Sequence, residues 1–425
     1  MRLALLCDDP AIIPCLDAIT ADSAHEIVMA VSVSPLGAEL LRGRSEIRLV
    51  ERWEDLLVAR GIDAILVGGH EPTALEAVKQ LAAAGHTILF IPDAAQGSTF
   101  LYELSLIRDD NRVKLIPALC HRRNSALVRL QALLREGSFG AVKLIQLERT
   151  FCMPPNMALR QTIVDYVLLP DLDLLRWLGG DYNQATAIRT GATDESLLTQ
   201  TVTLAGRGLP EATWQMEATS GPSVSALTIH TERGQFVAKQ ELVVGLNGLS
   251  CEWVLTEPGG AQVIGDRVTA ARECLDEIES SLAQPDSSAA WPDLVKVFET
   301  LDATRRSVTR RRTIDLHFEP MSERAAFKTQ MIAMGCGVLT TTLMLMLAYL
   351  AVASLVPSEE TERLQWLQSG TAALNSVPPA SNWRHARTAL AYARLLVFTP
   401  LAIFLALQLL YPLSRPTTTA ADTSR

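Results

Sequence analysis

The chain has 425 residues, 48% of them hydrophobic, with a formal net charge of −9. An acidic chain of this length accommodates two soluble domains and an appendage, and it argues against nucleic acid as a partner. Its seven cysteines include no Cys-x-x-Cys pair, so they make neither a zinc site nor a disulfide framework and suit a reducing compartment.

The N-terminal third reads as alternating β and α. Residues 2–7 are an apolar run stopped by Asp8-Asp9-Pro10, too short for a signal-peptide core and suited to a first strand. A helix over 11–21, strands over 26–33 and 47–50, and a helix over 53–60 follow. Residues 62–67 and 87–91 are apolar runs on either side of a helical spacing over 73–84, which Gly85 closes. Two buried-type strands around a crossover helix form a βαβ unit, so the sheet is parallel. Such sheets bind ligands at the carboxyl ends of their strands, where Gly68, Gly69, His70, Pro92 and Asp93 fall. A strand over 114–117 then leads into His121-Arg122-Arg123-Asn124.

Beyond residue 143 the pattern changes. The runs 144–151, 184–190, 198–204, 212–218, 225–231, 235–242 and 249–256 alternate well enough to build a large open antiparallel sheet. Between the first two stands Pro170, which would break or kink any helix that runs through it. Asp171 and Asp173 then read as capping or dipole residues near a helix start.

Residues 331–356 carry no charge and are long enough to cross a hydrocarbon core of about 30 Å. Residues 395–413 form a second candidate span. Arg305, Arg306, Arg310, Arg311, Arg312, Arg324 and Lys328 precede the first span, and Arg415 and Arg425 follow the second; the connecting loop holds only Arg363, Arg384, Arg387 and Arg394. That bias predicts a hairpin anchored on the cytoplasmic side of the cell membrane, with both termini inside. The Arg305 and Arg306 pair also reads as a solvated domain face.

Several blocks carry a resemblance. They are Trp53-Glu54-Asp55-Leu56-Leu57 with residues 61–67, residues 82–89, His121-Arg122-Arg123-Asn124 with residues 133–142, and residues 171–180. In order and spacing they resemble the Gfo/Idh/MocA family of nicotinamide-dependent sugar and polyol oxidoreductases, over about residues 1–320. The resemblance implies a Rossmann-like doubly wound domain over 1–120, an α/β domain with a large open antiparallel sheet over 121–325, and here a two-helix membrane anchor over 326–425. It also implies NAD(P) as cofactor and a sugar-like small molecule as ligand.

The residues that would carry the family's chemistry are absent at three positions. Asp8 and Asp9 stand where a glycine-rich turn would approach the pyrophosphate, and a carboxylate about 4 Å from a phosphate charge is repelled by about 4 kcal/mol at an effective dielectric of about 20. The plainer reading is that one of them caps the first helix, with Pro10 at its first position. The lysine position falls on Pro92 and the histidine position on Leu169 or Pro170; Asp165 stands for the family's aspartate if one residue of slip is allowed. His70 reads as a loop histidine or a cofactor-crevice residue, and His121, Arg122 and Arg123 as an anion-binding group or as interdomain ion pairs.

The sequence therefore predicts a membrane-anchored protein that keeps the two-domain fold and acts as a catalytically degenerate ligand-binding or scaffolding subunit. Its partners would be a second copy of itself or an active relative. The alternative is a divergent NAD(P)-dependent oxidoreductase acting on a sugar or polyol derivative. No metal-ligating pattern is present.

Overall fold

The first sheet is built from β1 (Arg2–Cys7), β2 (Glu26–Ser32), β3 (Arg48–Val50), β4 (Ala64–Gly68), β5 (Ile88–Ile91) and β6 (Leu115–Pro117). In this computed structural model, residues 1–7, 12–21, 24–32, 47–152, 159–193, 196–245, 248–283, 290–318, 323–368, 384–397 and 399 are described. Strand order is β3-β2-β1-β4-β5-β6 and every adjacent pair is parallel. This is the dinucleotide-binding order. β4 and β5 are buried along their whole length, which is why they read as unbroken apolar runs rather than as alternation.

The helices α1 (Ile13–Ala21), α2 (Asp55–Val58), α3 (Pro72–Ala83) and α4 (Gly97–Asn111) connect these strands. α3 starts with Pro72, whose missing N–H costs nothing in a first turn, and buries Ala74, Ala77, Val78, Leu81 and Ala82 along one stripe. Gly85, at φ +89°, turns the chain back toward β5.

After β6 a 3-10 turn (Cys120–Arg123) leads into α5 (Ser125–Glu136), whose first turn is capped by the Asn124 side chain accepting from the Leu127 N–H at 3.4 Å. The chain then enters the second sheet. Its strands are β7 (Val142–Cys152), β8 (Gln184–Thr193), β9 (Ser196–Ala205), β10 (Glu211–Thr219), β11 (Val224–Thr231), β12 (Gly234–Gly245), β13 (Gly248–Thr256), β14 (Gln262–Gly265) and β15 (Ile314–Asp315).

All seven expected strands are present, with β14 and β15 in addition. The order is β14-β13-β12-β11-β7-β10-β9-β8-β15, and the sheet is mixed rather than antiparallel throughout, because β7 and β10 run parallel. A parallel neighbour needs a crossover. Here α6 (Gln161–Gly179) leaves the end of β7 before the β8–β9–β10 meander begins.

α6 also corrects the expectation at Pro170, through which it runs as one helix. Pro170 has no N–H for the carbonyl one turn back. Buried Val164, Leu168, Leu169, Leu172, Leu174 and Leu175 hold the helix against the core, each side chain contributing about 1.5–3 kcal/mol, which outweighs one missing bond. Asp171 and Asp173 consequently lie deep in its second half, not at a helix start.

α7 (Arg267–Ala283) packs on α1 and the 3-10 turn, and α8 (Ala290–Arg310) packs on α6 and β8. Trp291 of α8 reaches back to the first sheet: its ring meets Phe90 edge-on at 5.6 Å and its Nε1–H donates to Ser105 Oγ at 2.8 Å. Met1–Phe318 accordingly forms one compact unit. Arg305, Arg306 and Arg310 belong to α8 of this unit.

The second unit, Glu319–Arg425, contains α9 (Glu323–Leu355), α10 (Glu359–Gln368) and α11 (Arg384–Val397), with α11 packed on α9. Gly337–Leu355 is, among the described residues, the one stretch long and apolar enough to cross a membrane, and most of its side chains are exposed. Thr341 and Thr342 donate to the Gly337 and Val338 carbonyls at 2.8 Å, so these hydroxyls are satisfied within the helix. Of the second expected span, 395–413, all but residues 395–397 and 399 lie outside the described residues.

Candidate functional site

A cavity of about 310 Å3 opens where the carboxyl ends of β5 and β6 face the second sheet. Pro92, Leu119 and His121 come from the first sheet's strand ends; Arg149 and Trp253 come from β7 and β13; Leu169, Pro170 and Asp173 come from α6. Thr150, Ser225 and Gln240 add hydroxyl and amide groups to the wall. A largely apolar cavity with a few convergent polar groups suits a small polar ligand.

Behind the wall lies Asp171, fully buried. Arg149 donates to it through Nε and Nη2, both at 2.5 Å, and Trp214 Nε1 donates at 2.7 Å. The remaining Arg149 nitrogen, Nη1, donates to Ser225 Oγ at 2.5 Å. His121 Nε2 stands 3.8 Å from Asp171 Oδ1, and its ring meets Trp253 edge-on at 6.1 Å. A bidentate guanidinium and an indole N–H compensate the buried carboxylate, whose negative charge would otherwise be very costly there.

A second buried pair stands one helical step away. Arg122 Nε lies 3.0 Å and Nη2 2.6 Å from the Asp173 carboxylate, while Nη1 donates to Asp293 of α8 at 2.8 Å. Burial pushes the Asp173 carboxyl up, and the bidentate Arg122 guanidinium opposes that rise. For Arg122 burial opposes the charge, and the two carboxylates more than offset it. Arg122 is thus held in ion pairs with α6 and α8, all three residues lying within the Met1–Phe318 unit. Arg123 closes the same turn.

The other candidates fall around this centre. Pro92, Leu169 and Pro170, the positions to which the resemblance assigns a lysine and a histidine, all line the cavity. Asp165, 6% exposed, is not in the cavity lining; Gln161 Nε2 and Arg305 Nε each donate to it at 2.8 Å, and Arg305 Nη2 donates to the Ala94 carbonyl at 2.9 Å. Gly68 ends β4, and Gly69 and His70 follow it. His70 Nδ1 lies 2.7 Å from buried Asp93 Oδ2, and Gln96 accepts from the Asp93 N–H at 2.9 Å while donating to the Gly69 carbonyl at 2.7 Å. That network ties the ends of β4 and β5 together, and Gly69, at φ +116°, occupies backbone that favours glycine. Asp8 and Asp9 lie outside the described residues.

Sequence reasoning missed Arg149, Trp214, Trp253 and Gln240 as site residues. Each sits on a strand whose alternation was visible, but which strands flank the cavity depends on sheet order. Among the described residues one mixed set, His25, Asp276 and Glu279, has ligand-type atoms within 4.8 Å of one another; it does not line the cavity, and both carboxylates are exposed.

No family model and no curated protein matches the chain. Solved structures do. A myo-inositol dehydrogenase from Corynebacterium glutamicum is 15% identical, with 76% of this chain and 99% of that one covered at a TM-score of 0.60. Levoglucosan dehydrogenase, solved with NADH and levoglucosan, is 14% identical, with 74% and 99% covered at 0.60. An oxidoreductase from Agrobacterium radiobacter, solved with NAD+, L-tartaric acid and magnesium, is 14% identical, with 74% and 98% covered at 0.60. At such identities the likeness establishes the fold: residues 1–318 have the architecture of the Gfo/Idh/MocA-type dehydrogenases that the sequence resembles.

Proposed function

We propose that this chain is a divergent NAD(P)-dependent oxidoreductase that takes a sugar-like or polyol-like molecule into the cavity. The observation that carries the reading is His121, which lines the cavity at the carboxyl end of β6 with buried Asp171 behind it. Parallel-sheet proteins bind cofactor and substrate at that edge, and the neighbours with NAD+ or NADH share the sheet order's fold.

The residues present suit part of a dinucleotide. On this reading the backbone at Gly68 and Gly69, at and just past the end of β4 beside β1, would hold the pyrophosphate. A bound nicotinamide supplies the hydride acceptor. The chain's own residues do the rest: Thr150, Ser225 and Gln240 offer partners for hydroxyl groups, and His121 takes the proton of the hydroxyl being oxidised. Asp171, 3.8 Å from the ring, stabilises the imidazolium that forms by its charge rather than through a hydrogen bond.

A second reading has its own support. Pro92 and Leu169 line the cavity where the resemblance places the lysine and the histidine, and neither can exchange a proton. On that reading the chain binds its ligand without turning it over, as a scaffolding subunit.

Titration of the full chain with NADH and NADPH by fluorescence, followed by oxidation assays on a panel of polyols, separates the two. The oxidoreductase reading expects micromolar nucleotide binding and turnover that falls about 100-fold in His121→Ala. No nucleotide binding at millimolar concentration leaves the non-catalytic reading standing. Anchoring by a hairpin of two spans, 331–356 and 395–413, with both termini on the cytoplasmic side belongs to either reading; a reporter fused after Arg425 is then active only inside the cell, whereas a single span at Gly337–Leu355 puts it outside. Self-association through the outer face of the second sheet, where Ile188 and Leu198 are exposed, completes the proposal and is read from the mass in solution.

A further inference from the structure

Three of the seven cysteines, far apart in sequence, meet beside the cavity. Cys15 of α1 and Cys120 of the 3-10 turn line its wall, and Cys274, 3% exposed, is buried on α7, the helix that packs on that turn and on α1. The Cys274 thiol is hydrogen-bonded with Cys120. None of the three is in a disulfide.

The two bonded thiols are chemically unequal. The contact with Cys120 and then burial hold the Cys274 thiol well above the usual range, so it stays protonated. Cys120 is partly exposed and borders the cavity, so solutes that enter reach it first. Arg123, three residues on, contributes a positive charge to the cluster. An accessible sulfur with a second thiol in contact is the arrangement of an attacking and a resolving cysteine.

We propose that Cys120 and Cys274 form an oxidisable dithiol, with Cys120 reacting first with hydroperoxides that enter the cavity and Cys274 resolving the product. Cys120 gives up its thiol proton, the thiolate attacks one peroxide oxygen, the O–O bond breaks, and the departing oxygen takes up that proton and leaves as an alcohol or water. Cys120 is now a sulfenic acid. The Cys274 sulfur attacks it, an S–S bond forms, and the departing hydroxyl takes up the Cys274 proton as water. Two thiols have lost two electrons, and one hydroperoxide has been reduced. The bridge ties the turn that carries His121 to α7, so oxidation remodels the cavity wall. The inference does not depend on which ligand occupies that cavity.

Treatment of the full chain with hydrogen peroxide, followed by non-reducing peptide mapping, tests it. The expected product is a Cys120–Cys274 disulfide that dithiothreitol reverses, forming about tenfold faster than oxidation of exposed Cys152. In Cys274→Ala the reaction stops at a Cys120 sulfenic acid that dimedone traps; in Cys120→Ser, Cys274 stays reduced. Should either variant fail to fold, the wild-type map alone decides. A Cys15–Cys120 bridge, or oxidation confined to Cys152, overturns the proposal.

Discussion

Arg149 grips Asp171 with two guanidinium nitrogens at 2.5 Å, and the carboxylate it grips is fully buried. The pair joins β7 to α6 directly behind the cavity and sets the electrostatics that His121 meets. Breaking one side of such a pair leaves a buried charge without its partner. Asp171→Asn keeps an oxygen for Trp214 but strands Arg149, so the unfolding free energy falls by about 3–5 kcal/mol in chemical denaturation of the full chain. The double variant Asp171→Asn/Arg149→Met removes both charges and recovers much of that loss. A double variant as unstable as the summed single changes would mean that the pair is not the unit described here.

Glu299 gives a pH dependence whose sign is fixed by its surroundings. Burial raises its carboxyl above the ordinary value of 4.5, and the Tyr102 hydroxyl, Lys296 and Arg176 only partly oppose this. The folded state therefore holds the proton more tightly than the unfolded state. Its contribution to stability is complete below pH of about 4.5 and is lost as pH rises through the raised folded value. Glu299→Gln keeps an oxygen to accept from Tyr102 and removes the titration. Denaturation across a pH series should find the variant gaining on the native chain from the mid-fours upward. A gap that narrows toward neutrality contradicts the assignment.

Much of this architecture is legible in the residues. β4 and β5 are buried on both faces and so appear as unbroken apolar runs; β10 and β11 face the core on one side and so alternate, as their burial patterns confirm. Pro92 and Leu169 are legible as positions without proton-exchanging groups, and both prove to line the cavity. What stays hidden is long-range pairing. Nothing local in Arg122 says that it will meet Asp173 and Asp293, or in Cys120 that it will meet Cys274, because α6, α7 and α8 are brought there by sheet order. The parallel β7–β10 pair is hidden for the same reason. Pro170 misleads in the opposite direction: local propensity says break, and the packing of α6 overrides it.

Gly265 ends β14 against the cap of α5. A Cβ added there would come within 2.2 Å of Asn124 Oδ1 and 2.8 Å of the Ala126 backbone nitrogen. The side chain can yield; the backbone cannot. Gly265→Ala therefore displaces the cap and strains the first turn of α5, lowering stability by about 2–4 kcal/mol. Asn124→Ala, which loses the cap alone, costs about 1 kcal/mol. Adding Asn124→Ala to Gly265→Ala relieves the side-chain clash, so the double variant is no worse than Gly265→Ala; a further drop would show that Asn124 had simply moved aside.

Pro170 supplies the converse test. In a helix interior proline is about 3 kcal/mol worse than alanine, partly offset by about 1 kcal/mol because it restricts the unfolded chain. Pro170→Ala should therefore stabilise the protein by about 2 kcal/mol in chemical denaturation, by giving the carbonyl one turn earlier an N–H to accept from. Its ring also lines the cavity, so the substitution widens the pocket by two methylene groups. Stability and ligand affinity should then move in opposite directions, the chain becoming harder to unfold while a snugly held ligand binds less well. Loss of stability instead would mean that α6 depends on the ring for packing, and that the helix tolerates Pro170 because it is needed there.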